Sequence, residues 1–278
     1  MFGVILMSIS TFLDEIFSSF GKRKVTEGFL SKYSTGFIQV LGGLVFFLLI
    51  SIFKNNSFVF QVASLPTFLP RLLLEILQAH AMMTGLIAAD RSTFGFIRVG
   101  TVPLLLVVDI VLGYTLSSAQ LWGVAVIVFC FLFVFFGKAF SKVGSTWVIF
   151  GTVNAVVTLS LYKYNITHFN SVVGEQTIVQ LVVLLYFFGM AVFSARENPM
   201  KFLKDKIYLF QAIVNGLSDL AGSFAYSYGA ASIILSAKRS SEALWASLSG
   251  GFYFMERKVW WKLLIASLLI LGLILLAF

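Results

Sequence analysis

The sequence has little charge. Asp, Glu, Lys and Arg together make up 12% of its 278 residues, whereas soluble globular domains carry about 25%. The mean hydropathy is +0.96, and apolar runs such as 40–53 and 262–278 are long enough to approach or cross a hydrocarbon core of about 30 Å as helices. The runs are apolar on all sides rather than alternating, which argues against a β-barrel. This composition excludes a soluble fold and predicts a helical membrane protein.

Cysteine and histidine are equally scarce. Cys130 is the only cysteine, which excludes an intrachain disulfide, and with His80 and His168 as the only histidines no His/Cys metal site is expected. The sequence has no HExxH, no Asp-rich prenyl-diphosphate motif and no Ser or Cys nucleophile with a placed His. The chain is therefore predicted not to be an enzyme and to need no metal or other cofactor.

Hydropathy along the chain predicts ten membrane-spanning helices, an all-α polytopic architecture. The connections are short, so no soluble domain fits between the spans. The first residues lack the basic region and cleavage site of a signal peptide and are interpreted as the start of the first helix. The predicted spans are 3–20, 35–53, 68–89, 93–113, 120–137, 145–162, 175–195, 206–226, 230–254 and 259–278.

The basic residues indicate the orientation of the chain. Of the 20 Lys and Arg residues, 14 fall in the odd-numbered loops, and only Lys54 and Lys163 fall in the even-numbered loops. Cytoplasmic loops are enriched in positive charge, so the odd loops are predicted to be cytoplasmic and both termini external, in a multi-pass protein of the inner (plasma) membrane. The net charge of +8 is thus assigned to topology, and no nucleic-acid partner is expected.

The chain also resembles itself at a spacing of 139 residues, which places Trp122 on Trp261. The halves 1–139 and 140–278 would each hold five spans. An odd number of spans inserts the second half upside down relative to the first. Inverted repeats of this kind are typical of secondary transporters, whose solute site lies at the repeat interface near the midplane.

Polar residues inside the spans mark the candidate solute site, because a charge at the bilayer centre costs about 2.5–3.5 kcal/mol on insertion scales and needs a partner or a water-filled cavity. In span 8, Gln211, Asn215 and Asp219 recur every four residues and form one polar stripe. Such a stripe either lines a solute cavity or holds the helices together by hydrogen bonds. Span 3 adds Gln78, and span 6 adds Asn154.

Four titratable residues are candidates for proton coupling. Asp14 and Glu15 lie about midway along span 1, and His80 in span 3 falls on Asp219 at the repeat spacing. Asp14 and Glu15 either carry protons or pair with a buried cation. Glu15 and Asp219 are the preferred groups for coupling or for binding a solute amino group.

Span 9 contains "AKRSSEALW", in which two cations lie side by side in an apolar helix. Glu242 is spaced to pair with Lys238 or with Arg239, as their charge partner, but can neutralise only one of them. The other cation must meet an anionic ligand or another carboxylate, namely Asp14, Glu15, Asp109 or Asp219. Ser241 and Trp245 are predicted to line the same pocket.

The end of the chain, "GFYFMERKVWWKLLIASLLILGLILL", is similar to the closing pattern of the EamA-like ten-helix branch of the drug/metabolite transporter superfamily. In that pattern a Gly- and aromatic-rich helix ends in Glu, matched here by Glu256, and a short basic turn leads to an apolar helix. The first half follows the same plan, with Ser117 at the acidic position. The resemblance covers essentially the whole chain and implies two inverted five-helix repeats. Many members of the family have cytoplasmic termini, which is opposite to the orientation that the basic residues predict here.

The element "AKRSS" resembles a Lys-Arg-Ser/Thr element in the ninth helix of several branches, among them the triose-phosphate/phosphate translocators. There the Lys-Arg pair binds the phosphate of the substrate. This resemblance implies that Lys238 and Arg239 hold an anionic group of a solute. Glu242, which follows directly, departs from that pattern because an acidic neighbour opposes an anion.

The predicted function is secondary active transport of a small polar, anionic or zwitterionic metabolite by alternating access, with proton coupling or exchange. The alternative is export of lipophilic or quaternary cations, if the two cations of span 9 are neutralised inside the protein. The expected partners are the solute and the lipid bilayer, and the chain acts as a monomer or homodimer. The predicted substrate-binding residues are Lys238, Arg239, Ser241, Trp245, Gln211, Asn215, Asn154 and Gln78.

Overall fold

The computed structural model describes residues 2–54, 57–111, 117–136, 143–228, 231–256 and 259–277, and every regular element in these ranges is a helix. The predicted boundary between the halves, at 139–140, lies outside them. Short 3-10 segments cover Val62–Ser64, Pro199–Lys204 and Tyr226–Tyr228. The α-helices are α1 (Phe2–Thr26), α2 (Lys32–Phe53), α3 (Leu65–Ala88), α4 (Arg91–Val99), α5 (Thr101–Val111), α6 (Ser118–Phe136), α7 (Ser145–His168), α8 (Val172–Phe193), α9 (Lys206–Ala225), α10 (Ala231–Phe252) and α11 (Val259–Ala277).

Within the described residues, six stretches of helix are long and apolar enough to cross a bilayer, which identifies the chain as a helical integral membrane protein. Helices α6, α9, α10 and α11 occupy the remaining predicted spans, and their crossing of the bilayer stays a prediction. The six stretches are Phe2–Thr26, Lys32–Phe53, Val62–Ala88, Arg91–Val108, Ser145–His168 and Val172–Phe193.

The fourth predicted span consists of two helices rather than one. Helix α4 ends at Val99 and α5 begins at Thr101, with Gly100 in a turn between them. In a continuous helix the ring of Pro103 would clash with the carbonyl group of Val99, and Pro103 has no N–H to donate to it. The helix therefore breaks where the proline disrupts its hydrogen bonds.

The helices pack as a bundle around a polar centre. Helix α1 packs on α9 and α10, and α2 packs on α8 and α9. On the other side α3 packs on α7, α4 on α10, and α6 on α11. Apolar contacts such as those of Phe37, Ile38 and Phe187 join α2 to α8, which leaves the polar side chains of several helices directed into the space between them.

Helices α2 and α9 touch through two glycines. A Cβ atom on Gly42 would lie 1.6 Å from the carbonyl oxygen of Ala212, and one on Gly216 would lie 2.4 Å from the carbonyl carbon of Gly42. Small residues at such a crossing let the two backbones meet. The contact also brings Asp219 against α2, because its Oδ2 would lie 2.7 Å from a Cβ atom on Gly43.

Candidate solute-binding cavity

A predominantly polar cavity of about 280 Å³ lies at the centre of the bundle. Its wall combines side chains of α1, α2, α3, α4, α7, α8, α9 and α10. Charges within a membrane need partners or water, so the pairing of these side chains decides what the cavity can bind. The charged residues of the wall are Asp14, Arg71, Glu75, Arg98, Asp219, Lys238 and Arg239.

Arg239 is held by the protein itself. It is 2% exposed, its Nη1 donates to Glu242 Oε2 at 2.6 Å, and its Nε donates to Thr101 Oγ1 at 2.9 Å. Arg98 Nη1 of α4 lies 3.5 Å from the same oxygen of Glu242. Glu242, the predicted charge partner, therefore serves one arginine of its own helix and one of α4.

Lys238 is left to the cavity. Its side chain belongs to the wall, and it forms neither an ion pair nor a hydrogen bond with another residue that the structure describes. Glu242, the nearest candidate in the sequence, is already shared by Arg239 and Arg98. Asp109, another predicted partner, has its side chain outside the described part of the chain. The two neighbouring cations of span 9 thus have different environments.

Three carboxylates share the wall with Lys238 and have no ion-pair partner among the described residues. Asp14 accepts a hydrogen bond from Ser18 at 3.2 Å, and Asp219 accepts one from Gln180 Nε2 at 3.4 Å. Glu75 lines the cavity without a hydrogen bond to any side chain in the described ranges. These groups are free to interact with a solute or with a proton.

The charges around the cavity include both signs. Arg98 and Arg239 share Glu242 and together leave one positive charge, and Lys238 supplies a second. The three unpaired carboxylates supply three negative charges when all are ionised. The cavity can therefore neutralise an acidic group and an ammonium group at once, with one negative charge in excess.

A buried ion pair closes one end of the cavity. Arg71 Nη1 donates to Glu175 Oε1 at 2.6 Å, and the Glu175 carboxylate also accepts hydrogen bonds from the side-chain amides of Asn165 and Asn170. Glu75 lies four residues from Arg71, a spacing that allows a pair within one helix, but no ion pair joins these two side chains. Folding brings the first turn of α8 beside α3, and Glu175 becomes the partner there.

A smaller cavity of about 190 Å³ adjoins the first one, and Asp14 and Arg98 belong to both walls. Arg91 and Glu15 close its far end: Arg91 Nε donates to Glu15 Oε1 at 3.1 Å, and Arg91 Nη2 donates to Glu15 Oε2. Ser249 Oγ of α10 donates to Glu15 Oε1 at 2.5 Å. Glu15, a predicted coupling residue, thus joins α1, α4 and α10.

Gln78 and Asn154 lie together, as residues of one predicted site should. Gln78 lines the central cavity, and Asn154 Nδ2 donates to the Gln78 side-chain oxygen at 3.3 Å and to the Leu74 carbonyl oxygen at 2.8 Å. Thr158 Oγ1 donates to the same Gln78 oxygen at 2.9 Å. Asn154 therefore positions Gln78 rather than lining the cavity.

Five other predicted residues do not line either cavity. Gln211 donates to the backbone of α1, and Ser241 shares a hydrogen bond with a serine hydroxyl of α1. Trp245 packs on a phenylalanine of α1, and His80 lies 2.5 Å from a tyrosine hydroxyl of α8. Asn215 is buried, and its amide has no hydrogen-bond partner among the described residues. Of the polar stripe on α9, Gln211 therefore contacts α1, whereas Asp219 lines the central cavity.

Sequence reasoning overlooked the contribution of α8. Gln176 and Gln180 line the central cavity, one turn apart in an otherwise apolar helix, and Glu175 precedes them. The spacing of four residues is the same signal that distinguishes the stripe on α9. Searching every apolar helix for polar residues at this spacing would have found them.

Comparison with known proteins adds no relative: no model of a protein family matches the chain, and no curated protein matches it significantly. The resemblance to EamA-like transporters therefore stays a prediction from sequence motifs. Functional interpretation rests on the cavity and its charges.

Proposed function

We propose that the protein is a secondary active transporter that moves a small zwitterionic metabolite across the membrane by alternating access. The observation that carries the proposal is the state of Lys238, whose ammonium group belongs to the wall of a central cavity and has no ion-pair partner among the described residues. Asp14, Glu75 and Asp219 share that wall. Ionisable groups inside a membrane protein are costly and mark solute or ion pathways.

The position of the cavity supports transport. The ion pair Arg71–Glu175 closes one end of the cavity system, and the ion pair Arg91–Glu15 closes the other. Both pairs join different helices. A solute site between two sets of contacts that can open in turn is what alternating access requires.

The packing of the helices supports a ten-helix inverted repeat. Exchange of the halves 1–139 and 140–278 would relate α1 to α7, α3 to α9, and α10 to α4 and α5. The contact of α1 with α9 then corresponds to that of α3 with α7. The contact of α1 with α10 likewise corresponds to that of α7 with α4 and α5. A solute site between the repeats is the usual arrangement in such transporters.

The charges of the cavity define the solute class. Lys238 would bind a carboxylate or phosphate group of the solute by a charge-assisted hydrogen bond. Asp14, Glu75 or Asp219 would bind its ammonium group, and those not engaged would exchange protons with water. A volume of about 280 Å³ restricts the solute to the size of a small metabolite.

A ligand screen and one substitution test this proposal. The purified protein is screened by thermal shift against amino acids, organic phosphates, nucleotide sugars and quaternary amines, and compounds that stabilise it are assayed for uptake in liposomes with and without a pH gradient. Zwitterions are expected to stabilise the protein. Lys238→Gln is expected to weaken their binding about tenfold or more, the factor of a charge-assisted hydrogen bond.

Lys54→Gln, an exposed lysine at the end of α2, is the matched control and should leave binding unchanged. Loss of folding in Lys238→Gln is detected separately by its elution profile and melting temperature. Stabilisation by zwitterions that is equal in both variants would contradict the role of Lys238.

Export of organic cations is the second candidate, favoured by the one negative charge in excess that surrounds the cavity when all three carboxylates are ionised. In that case quaternary amines alone would stabilise the protein. Removal of the Lys238 charge would then strengthen their binding, because a repelling cation is lost. Asp219→Asn would weaken it. The direction of the Lys238→Gln effect therefore separates the two candidates.

A further inference from the structure

A third recess lies on the outside of the bundle, between α1 and α10. Its volume is about 510 Å³, and its wall is almost entirely apolar. Phe12 is 42% exposed and Phe252 is 66% exposed, so the recess is open to the surroundings of the bundle, which are lipid tails along a membrane helix. The apolar side chains of the wall are Phe12, Ile16, Phe20, Trp245, Leu248, Phe252 and Tyr253.

The recess extends along the two helices because these run in the same direction. Phe12 packs on Trp245 with a centroid distance of 4.8 Å, and Glu15 contacts Ser249 one turn further. Ser19 Oγ donates to Glu15 Oε1 at 2.7 Å. These carboxylate and hydroxyl groups of the wall bind one another, so the recess presents a long apolar surface to an occupant.

Two cations stand at one end of the recess. The guanidinium group of Arg23 lies 5.0 Å from the centroid of the Tyr253 ring, and Lys24 Nζ lies 5.7 Å from that of Phe20. Both rings belong to the wall. Glu27 accepts from both cations, which leaves one positive charge in excess. This end is the one predicted to be cytoplasmic, and anionic lipids are concentrated in that leaflet.

We propose that the recess between α1 and α10 binds an anionic phospholipid, with an acyl chain along its apolar wall and the phosphate group at Arg23 and Lys24. An acyl chain has no polar group to satisfy inside the bilayer. A non-helical polypeptide segment would bring backbone groups that need hydrogen-bond partners there, whereas the hydroxyl groups of Ser19 and Ser249 in the wall already bind Glu15. The apolar length and the cationic end together match a charged amphiphile.

This binding does not depend on transport, so it can fail or succeed independently of the proposed function. It does adjoin the transport machinery, because Glu15 belongs to the wall of the recess and to that of the smaller cavity. A lipid bound in the recess would therefore touch the residue that holds Arg91 at the end of the cavity system.

Quenching of tryptophan fluorescence by brominated lipids tests the proposal. Substituting Phe for Trp122, Trp147, Trp260 and Trp261, all at least 45% exposed, leaves Trp245 as the only tryptophan, which is excited selectively over tyrosine. The full chain is reconstituted in phosphatidylcholine vesicles that contain increasing fractions of brominated phosphatidylglycerol or brominated phosphatidylcholine. Quenching of Trp245 should indicate a preference of severalfold for phosphatidylglycerol.

Removal of the two cations should abolish this preference but not the contact. In R23Q/K24Q the two brominated lipids are expected to quench Trp245 equally. The control K201Q/K204Q removes the same charge from exposed lysines of the segment Pro199–Lys204 and should retain the preference. A variant with Trp122 alone reports lipid contact on α6 and should show no preference.

Two results would overturn the proposal. Equal quenching by both lipids in the protein with Arg23 and Lys24 intact would exclude recognition of the headgroup. Absence of quenching by either lipid would show that acyl chains do not enter the recess, and that another occupant, such as a second copy of the chain, covers it.

Discussion

At the level of single residues, the buried arginines differ from Lys238, the lysine that lines the central cavity. Arg71, Arg91 and Arg239 are each at most 3% exposed, and each binds a carboxylate. A guanidinium group has a fixed planar fork of donors and cannot lose its charge, so it suits permanent buried pairs. Lys238 has a compact charge on a flexible stem and remains in the cavity. The residue type thus agrees with a structural role for the arginines and a binding role for the lysine.

The first prediction concerns Glu242. Glu242→Gln would remove the carboxylate that Arg239 and Arg98 share, and breaking a buried pair in this way costs about 3–5 kcal/mol. We expect a large decrease in the melting temperature of the purified protein in detergent. Glu27→Gln, which removes an exposed partner of Arg23, is the control and should leave the melting temperature unchanged. Equal melting of both variants would show that Glu242 is not needed for the fold.

At the level of secondary structure elements, α2 and α9 pack closely because Gly42 and Gly216 have no side chains at their contact. The second prediction is that Gly42→Ala destabilises the protein by about 1–3 kcal/mol, the cost of overpacking, because the added Cβ would lie 1.6 Å from the carbonyl oxygen of Ala212. Gly189→Ala in α8 is the control, since the nearest heavy atom to its Cβ, in Phe193, is 4.0 Å away. Melting temperatures measured side by side test this. A lowered value for Gly189→Ala alone would refute the close contact.

The start of α2 is tied to the loop after α8 by a carboxylate. Glu197 Oε2 accepts from the Ser31 N–H at 2.9 Å and from Ser34 Oγ at 2.6 Å. Partial burial raises the pKa of Glu197, but the hydrogen bonds from Ser34 and Ser31 outweigh it and hold the pKa below 4.5. A pKa that is lower in the folded protein than in the unfolded chain means that the ionised carboxylate stabilises the fold. This stabilisation is complete above the pKa of the unfolded chain.

The third prediction is therefore a pH-dependent effect of Glu197→Gln. At pH 7 the variant should be less stable by about 1 kcal/mol, a charged hydrogen bond reduced by partial exposure. The stabilisation by Glu197 is lost as the pH falls through its folded pKa, so the difference between the two proteins should shrink as the pH falls. Melting temperatures from pH 7 to pH 3 measure the difference. A difference that does not change with pH would assign it to packing instead.

At the scale of the whole molecule, the cavities lie between two buried ion pairs on different helices. The fourth prediction is that breaking either pair opens the protein toward one side. Glu175→Gln should expose the central cavity at the Arg71 end, and Glu15→Gln should expose the cavities at the Arg91 end. A bias of about 1.4 kcal/mol changes the ratio of two states about tenfold.

Labelling of a single cysteine measures this opening. Cys130→Ala removes the only native cysteine, and Ser223→Cys places a thiol in the wall of the central cavity. A membrane-impermeant thiol reagent is added to one side of the reconstituted protein at a time. Each ion-pair variant should accelerate labelling from one side only, and from opposite sides. Acceleration from both sides by one variant would indicate loss of structure rather than a change of state.

Several features of the site could be predicted because they depend on local spacing. Lys238 and Asp219 were predicted at the solute site and do line the central cavity. The spacing of three residues along a helix allowed the pairing of Glu242 with Arg239 to be predicted, with Lys238 as the alternative partner. The partner of Arg71 could not be predicted, because Glu175 is separated from it by 104 residues. No local pattern indicates which of several buried carboxylates folding will bring to a given cation.

That this is a helical membrane protein follows from the amino-acid sequence, because runs of apolar residues in lipid must satisfy their backbone hydrogen bonds within helices. The sequence also determines which helices carry charge. Which charges cancel is decided when the helices pack. Arg71, Arg91 and Arg98 meet carboxylates of neighbouring helices, whereas Lys238 has no ion-pair partner among the described residues. Electrostatic energy depends on distances between helices, and these distances are set by packing such as the glycine contact of α2 with α9. Helix packing therefore decides that Lys238, rather than Arg239, is the cation available to a solute, and the proposed solute site follows from it.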